Sequence, residues 1–104
     1  MIKCTIWKIK KGKRKIWEDW CKELMGKYHK EALETLIEED LIAEHCIIFG
    51  KGDNSFVRYI HETVPNKEKK PMNPNREINQ KHNRIFKECL ESISFKIGYE
   101  LYNK

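Results

Sequence analysis

With 104 residues, 39% of them hydrophobic, the chain can fill one compact core and is read as a single domain over residues 1–104. Charged residues make up 36%, and 21 Lys plus Arg against 16 Asp plus Glu leave a net charge of +5, enough to attract an anionic ligand without requiring nucleic acid. No segment approaches the ~18 apolar residues of a membrane span, and "MIKCTIWKIKKGK" lacks the apolar run and cleavage site of a secretory leader, so a cytoplasmic, soluble protein is expected.

"IKCTIWKI" (2–9) is rich in β-branched residues and reads as a strand, with Ile2, Cys4 and Ile6 on one face and Thr5, Trp7 and Ile9 on the other. Gly12 ends it. From Lys13 the period becomes helical, with Ile16, Trp17, Trp20, Leu24 and Tyr28 marking a stripe that resumes at Ala32, Leu33, Leu36 and Ile37. One straight helix from Lys13 to Glu39 would be roughly 40 Å long against about 30 Å for a nine-residue strand, so a break is expected near Gly26.

"LIAEHCIIF" (41–49) and "SFVRYIHETV" (55–64) flank the turn-rich "GKGDN" and form a hairpin. An even loop sets Phe49 opposite Phe56, Glu44 opposite His61 and Cys46 opposite Tyr59. Those last two pairs share one side of the sheet, and Ile47 with Arg58, and His45 with Ile60, occupy the other. "PNKEKKPMNPN" (65–75) holds all three prolines and reads as a long exposed loop, either a binding loop or a plain solvated connection. "EINQKHNRIFKECLESI" (77–93) is an amphipathic helix with His82 among its apolar positions, and "SFKIGYELY" (94–102) alternates as a last strand.

The four cysteines, Cys4, Cys21, Cys46 and Cys89, are scattered among these elements and suit reduced thiols; without a CxxC pair, structural zinc has little support. The order strand, helix, strand, strand, helix, strand implies an α+β fold, a ferredoxin-like βαββαβ sandwich with a four-stranded antiparallel sheet and helices on one face. The other face would expose Trp7, Ile9, Ile47, Phe49, Phe56 and Ile60, and a homodimer pairing two sheets removes that patch.

Gly12-Lys13 after the first strand, Trp20, "EALETLIEE" (31–39), Glu44 and "KHNRIFKEC" with His82 and Cys89 together resemble a bacterial family of uncharacterised small proteins in the dimeric α/β-barrel superfamily. The resemblance implies that fold and a dimer, and no particular reaction. Relatives in the wider superfamily include cofactor-independent quinol-type monooxygenases and haem degraders. The Asn and Trp of the haem degraders are missing from the corresponding strands here.

Two readings of His82 follow. It is either a satisfied core residue or a general base oriented by Glu44 in the cleft, with His61 beside them and Tyr59 donating to a substrate oxygen. Glu44, His61 and His82 also compose a two-His, one-carboxylate set, although no local motif signals a metal and none is assigned. Trp20 walls a flat-ligand pocket or simply fills the core, and Arg58 anchors an acidic ligand or an interface ion pair. Cys89 reads as a small buried hydrophobe. Glu39, at the acidic end of the short helix, calls for a cationic partner.

The leading expectation is a small-molecule-binding dimer, of cofactor-free oxygenase or isomerase type, whose ligand and cofactor the residues do not name. A non-catalytic structural or regulatory dimer is the alternative. An RNA-binding module ranks below both, because Phe56 and Tyr59 point to opposite faces of their strand.

Overall fold

The computed structural model describes residues 1–103 of the chain. Strand β1 (Ile2–Ile9) leads through a turn at Gly12, where φ is +75°, into helix α1 (Arg14–Met25). Trp17, Trp20, Cys21 and Leu24 form the inward stripe of α1, at the i, i+3, i+4, i+7 spacing that keeps side chains on one face. Ile16 was expected on that stripe; it lies to one side of it and is exposed.

The expected break occurs at Gly26. Its N–H and that of Tyr28 both donate to Glu23 O, at 3.2 and 3.0 Å, which closes the helix end. Helix α2 (His29–Glu38) follows and buries no residue completely; Ala32 and Leu36 turn partly inward while Leu33 and Ile37 are exposed.

Strands β2 (Leu41–Lys51) and β3 (Asn54–Thr63) form the hairpin with the two-residue loop Gly52-Asp53. The even loop sets the register anticipated from the sequence, pairing Phe49 with Phe56, Ile47 with Arg58, Cys46 with Tyr59, His45 with Ile60 and Glu44 with His61. An irregularity between Leu41 and Ala43 ends the regular ladder. Helix α3 (Glu77–Cys89) then runs into a short β4 (Leu90–Ser92). The result is an α+β fold with three helices and an antiparallel four-stranded sheet in the order β2-β3-β1-β4.

Two expectations need correction. Residues 94–102 form no regular strand, and the ladder from β4 to β1 stops at Ser92 opposite Trp7. Their alternation is real, but Phe95, Ile97, Tyr99 and Leu101 all remain exposed, so no face of the segment is covered. Trp7 and Ile9 also lie on the other side of the sheet from that assigned to them. Trp7 pairs with Val57 and Thr5 with Tyr59, which turns both residues toward the helices. Trp7 meets Phe86 of α3 edge-on with ring centroids 4.8 Å apart. The outer face carries Ile2, Cys4, Ile6, Ile47, Phe49, Phe56, Arg58 and Ile60, and three of its apolar residues are substantially exposed, Ile2 at 39%, Ile47 at 45% and Phe49 at 42%.

The core lies between sheet and helices, where Ile9, Trp17, Trp20, Val57, Tyr59, Cys89 and Leu90 cluster. Among the described residues, no helix is long and apolar enough to cross a membrane.

The hairpin provides a stability test. Gly50 has φ of +82°, and a Cβ there would lie 2.0 Å from Asn54 O, a backbone atom that cannot move aside. Gly50→Ala is expected to destabilise the fold by about 2 kcal/mol or more in denaturant titration, because it adds left-handed strain to a steric clash.

Candidate functional site

A cavity of about 320 Å³ opens between the sheet and the three helices, a size typical of small-ligand sites. Leu24, Met25, Ala32, Leu33, Leu36, Leu41, Met72 and Ile78 supply most of its wall. Its polar lining comes from Cys21, His29, Thr35, Glu39, Glu44, Cys46, Tyr59, Asn79 and His82.

His82 sits on the inward face of α3, ringed by Trp17, Trp20 and Phe86 at centroid distances of 6.2, 6.0 and 5.9 Å. Trp20 Nε1 donates a 2.9 Å hydrogen bond to His82 Nδ1. An indole nitrogen can only donate, so Nδ1 must be the acceptor and the neutral ring carries its proton on Nε2. Burial holds the His82 pKa below its ordinary value of 6.5; the Glu44 charge opposes this and the His61 charge assists it. With the Nδ1 lone pair engaged by Trp20, the polar group that the neutral ring has left is its Nε2–H, a donor.

Glu44 and His61 meet as the register requires, with His61 Nε2 2.8 Å from Glu44 Oε1. Tyr59 stacks on the His61 ring at 5.8 Å and 7°. Burial pushes the Glu44 carboxyl upward, but the hydrogen bond and charge of His61, with smaller contributions from His82 and Lys69, outweigh it and leave the pKa below the ordinary value. Glu44 is thus an ionised acceptor at the cavity rim, its side chain 40% exposed. Burial foremost, then the neighbouring charges of Cys46 and Glu44, push the Tyr59 phenol well above its ordinary value, so Tyr59 stays a donor.

The segment 65–75, read from sequence as an exposed loop, is tied down. Lys69 Nζ lies 2.9 Å from the buried Glu39, Lys70 Nζ 3.2 Å from Asp40, and Lys70 N–H donates to Glu39 O at 3.0 Å. Arg76 pairs with Glu38 at 2.9 Å and with Glu34 at 3.4 Å. The cationic partner anticipated for Glu39 is Lys69. These pairs hold Met72 against the cavity, and Asn79 Nδ2 bonds Asn73 O at 3.0 Å, so the loop forms part of the pocket wall.

Of the residues singled out from sequence, Glu44, Tyr59 and His82 line the cavity and His61 backs Glu44. Trp20 is buried behind His82 and orients it, and is absent from the cavity lining. Arg58 lies on the outer sheet face, where its Nε–H donates to Cys4 Sγ at 3.3 Å, away from this cavity. Cys89 is fully buried, consistent with a packing role. Glu44, His61 and His82 do not converge as metal ligands, and among the described residues no group of three His, Cys, Asp or Glu is arranged to hold an ion.

Sequence reasoning missed Cys21, Glu39, Met72 and Asn79 as pocket residues. Cys21 stands four residues after Trp17, on the same helix face, and Cys46 faces Tyr59, so a signal for the thiols was present. Nothing local marks Met72, because the loop's path depends on ion pairs with a distant helix end.

The fold and cavity together define a small α+β sandwich with a polar cluster at the edge of an apolar pocket. The chain belongs to a family of unknown function (DUF6176), matched over residues 1–102. No curated protein and no solved structure matches it.

His82 makes stability pH-dependent in a definite sense. Its folded pKa is depressed, so the unfolded chain takes up the proton first; stability is complete above the unfolded value near 6.5 and falls as pH drops through it toward the folded value. Urea titrations between pH 7.5 and 5.5 should show this decline, and His82→Gln should flatten it.

Proposed function

We propose that this protein binds a small, mostly apolar molecule with an enolisable carbonyl or a phenolic oxygen, and moves a proton on it. The single supporting observation is the arrangement of an ionised Glu44, steadied by His61 at 2.8 Å, at the rim of an apolar cavity that also presents His82 Nε2–H. Glu44 accepts the proton, and His82 Nε2–H stabilises the oxygen on which negative charge develops. Tyr59, lining the same wall, is a further donor. Isomerisation needs only the return of that proton elsewhere on the ligand, whereas a cofactor-free oxygenation would expose the same deprotonated ligand to dioxygen.

The neutral ketone 2-tetralone, which fits within 320 Å³, is a direct probe. In heavy water the protein should accelerate deuterium uptake at its acidic C1 position, followed by NMR. Glu44→Gln should remove about a hundredfold of that acceleration and His82→Phe about tenfold. No acceleration over buffer by the wild type, or an undiminished rate in Glu44→Gln, rejects proton transfer by this site.

The chain's partner is, in the same reading, a second copy. The order β2-β3-β1-β4 agrees with a ferredoxin-like sandwich of the dimeric α/β-barrel superfamily, and the outer sheet face exposes Ile2, Ile47 and Phe49 around the stacked Phe49–Phe56 pair. Two such faces packed together would remove this patch from water. Sedimentation of the wild type should give a dimer, and the double substitution Ile47→Glu, Phe49→Glu a folded monomer; a monomeric wild type overturns the pairing. A dimer that leaves 2-tetralone unchanged would instead favour a structural or regulatory role.

A further inference from the structure

Three residues of α2, α3 and the turn after α2 line the cavity with polar atoms that the proton-transfer site does not use. Asn79 is 3% exposed, yet only half of its amide is engaged. Its Nδ2 donates to Asn73 O at 3.0 Å; a backbone carbonyl can only accept, so the amide has one possible orientation and Oδ1 is the atom left over. No described residue donates to that oxygen. Thr35 Oγ1 spends its single hydrogen on Ala32 O at 2.7 Å, and what remains to it is the capacity to accept. Glu39, 5% exposed, is held by Lys69 through one carboxylate oxygen at 2.9 Å, and its second oxygen is a further acceptor. A buried amide oxygen without a donor is costly, and a wall carrying three such acceptors calls for a donor from outside the chain.

We propose that Asn79, Thr35 and Glu39 form a second polar subsite that takes a hydroxyl group of the ligand, so that the pocket suits a small hydroxylated carbonyl compound held at both ends. The inference rests on the reading of the cavity as a ligand site, and not on proton transfer to Glu44.

The placement fits one small molecule. Asn79 and His82 stand three residues apart on α3, about 4.5 Å along its axis, and both line the same cavity. His82 offers Nε2–H and Tyr59 its hydroxyl, donors suited to a carbonyl oxygen, whereas Asn79, Thr35 and Glu39 offer acceptors. That asymmetry gives the ligand a direction, with its oxygen toward His82 and its hydroxyl hydrogen toward Asn79. An ammonium group is a poorer match, because Lys69 already balances the charge of Glu39 and a cation loses far more hydration on entering an apolar cavity than a hydroxyl does. An ether or a carboxylate here would set lone pairs against lone pairs.

The test titrates the chain, followed by NMR, with 2-tetralone, 6-hydroxy-2-tetralone and 6-methoxy-2-tetralone, the last of which keeps the oxygen and removes the donor. The wild type should bind the hydroxy compound at least about tenfold more tightly than either of the others. Asn79→Leu should bring that preference close to one. Because Asn79 also ties down the strap, Thr35→Val, which keeps the side-chain shape and leaves the strap alone, serves as a second variant and should lower the preference about threefold. Circular dichroism checks the folding of each. Glu44→Gln should retain the preference, since the subsite does not depend on the base. Equal binding of the hydroxy and unsubstituted compounds by the wild type means that these acceptors serve water alone and overturns the subsite, even where 2-tetralone exchanges its C1 hydrogens. A preference undiminished in every folded variant overturns it too, and so does failure of all three probes to bind. A preference abolished by Asn79→Leu, in a protein that exchanges no deuterium into 2-tetralone, upholds the subsite and rejects the proton transfer.

Discussion

The hydrogen bond from Trp20 Nε1 to His82 Nδ1, 2.9 Å long, ties α1 to α3 across the top of the sheet. Both groups are polar atoms within an aromatic cluster, and each would be left unsatisfied without the other; losing such a buried bond costs on the order of 1–3 kcal/mol. The bond also determines the ring's chemistry. By consuming the lone pair at Nδ1 it leaves Nε2–H as the only polar group that His82 can extend into the cavity, and it does so with a residue of the core. One bond therefore both satisfies the ring within the core and decides which of its nitrogens is left to the cavity side.

From that constraint the pocket can be followed outward. Trp17 and Phe86 pack around the imidazole, Trp7 packs edge-on against Phe86, and Tyr59 lies between Trp17 and His61. This aromatic layer fixes the sheet-side wall. The helix-side wall is softer, because α2 contributes only partly buried residues and depends on ion pairs at its end for its position. The sheet-side wall carries Glu44, Cys46 and Tyr59, while the helices supply most of the apolar lining together with His29, Thr35, Asn79 and His82.

Much of the architecture was readable in the residues. The even loop between Gly50 and Ser55 fixed every β2–β3 pair, and with it the meeting of Glu44 and His61, because side-chain direction alternates strictly along a strand. Gly26 marked the break between α1 and α2 for reasons of length and backbone freedom. Trp7 and Ile9 were misplaced because β1 is apolar on both faces, so only its pairing with β3 can tell inside from outside. The alternation of residues 94–102 resembles a strand, but the ladder to β1 stops at Ser92 and the segment's apolar side chains stay exposed, so no pairing holds it extended. The setting of His82 was half visible: periodicity placed it inward, and only the position of Trp20 on another helix decided which nitrogen holds the proton.

The strap of residues 65–75 has a consequence for the electrostatic field around the cavity. Lys67, Lys69, Lys70 and Arg76 face Glu34, Glu38, Glu39 and Asp40, so the charges around this strap cancel and the excess positive charge of the chain resides elsewhere, in part along Lys8 to Lys15. Long-range attraction therefore draws anions toward the N-terminal turn and α1, and not toward the pocket. Capture of a neutral molecule would proceed by unsteered diffusion, at a rate nearly indifferent to ionic strength until salt is high enough to loosen the strap itself.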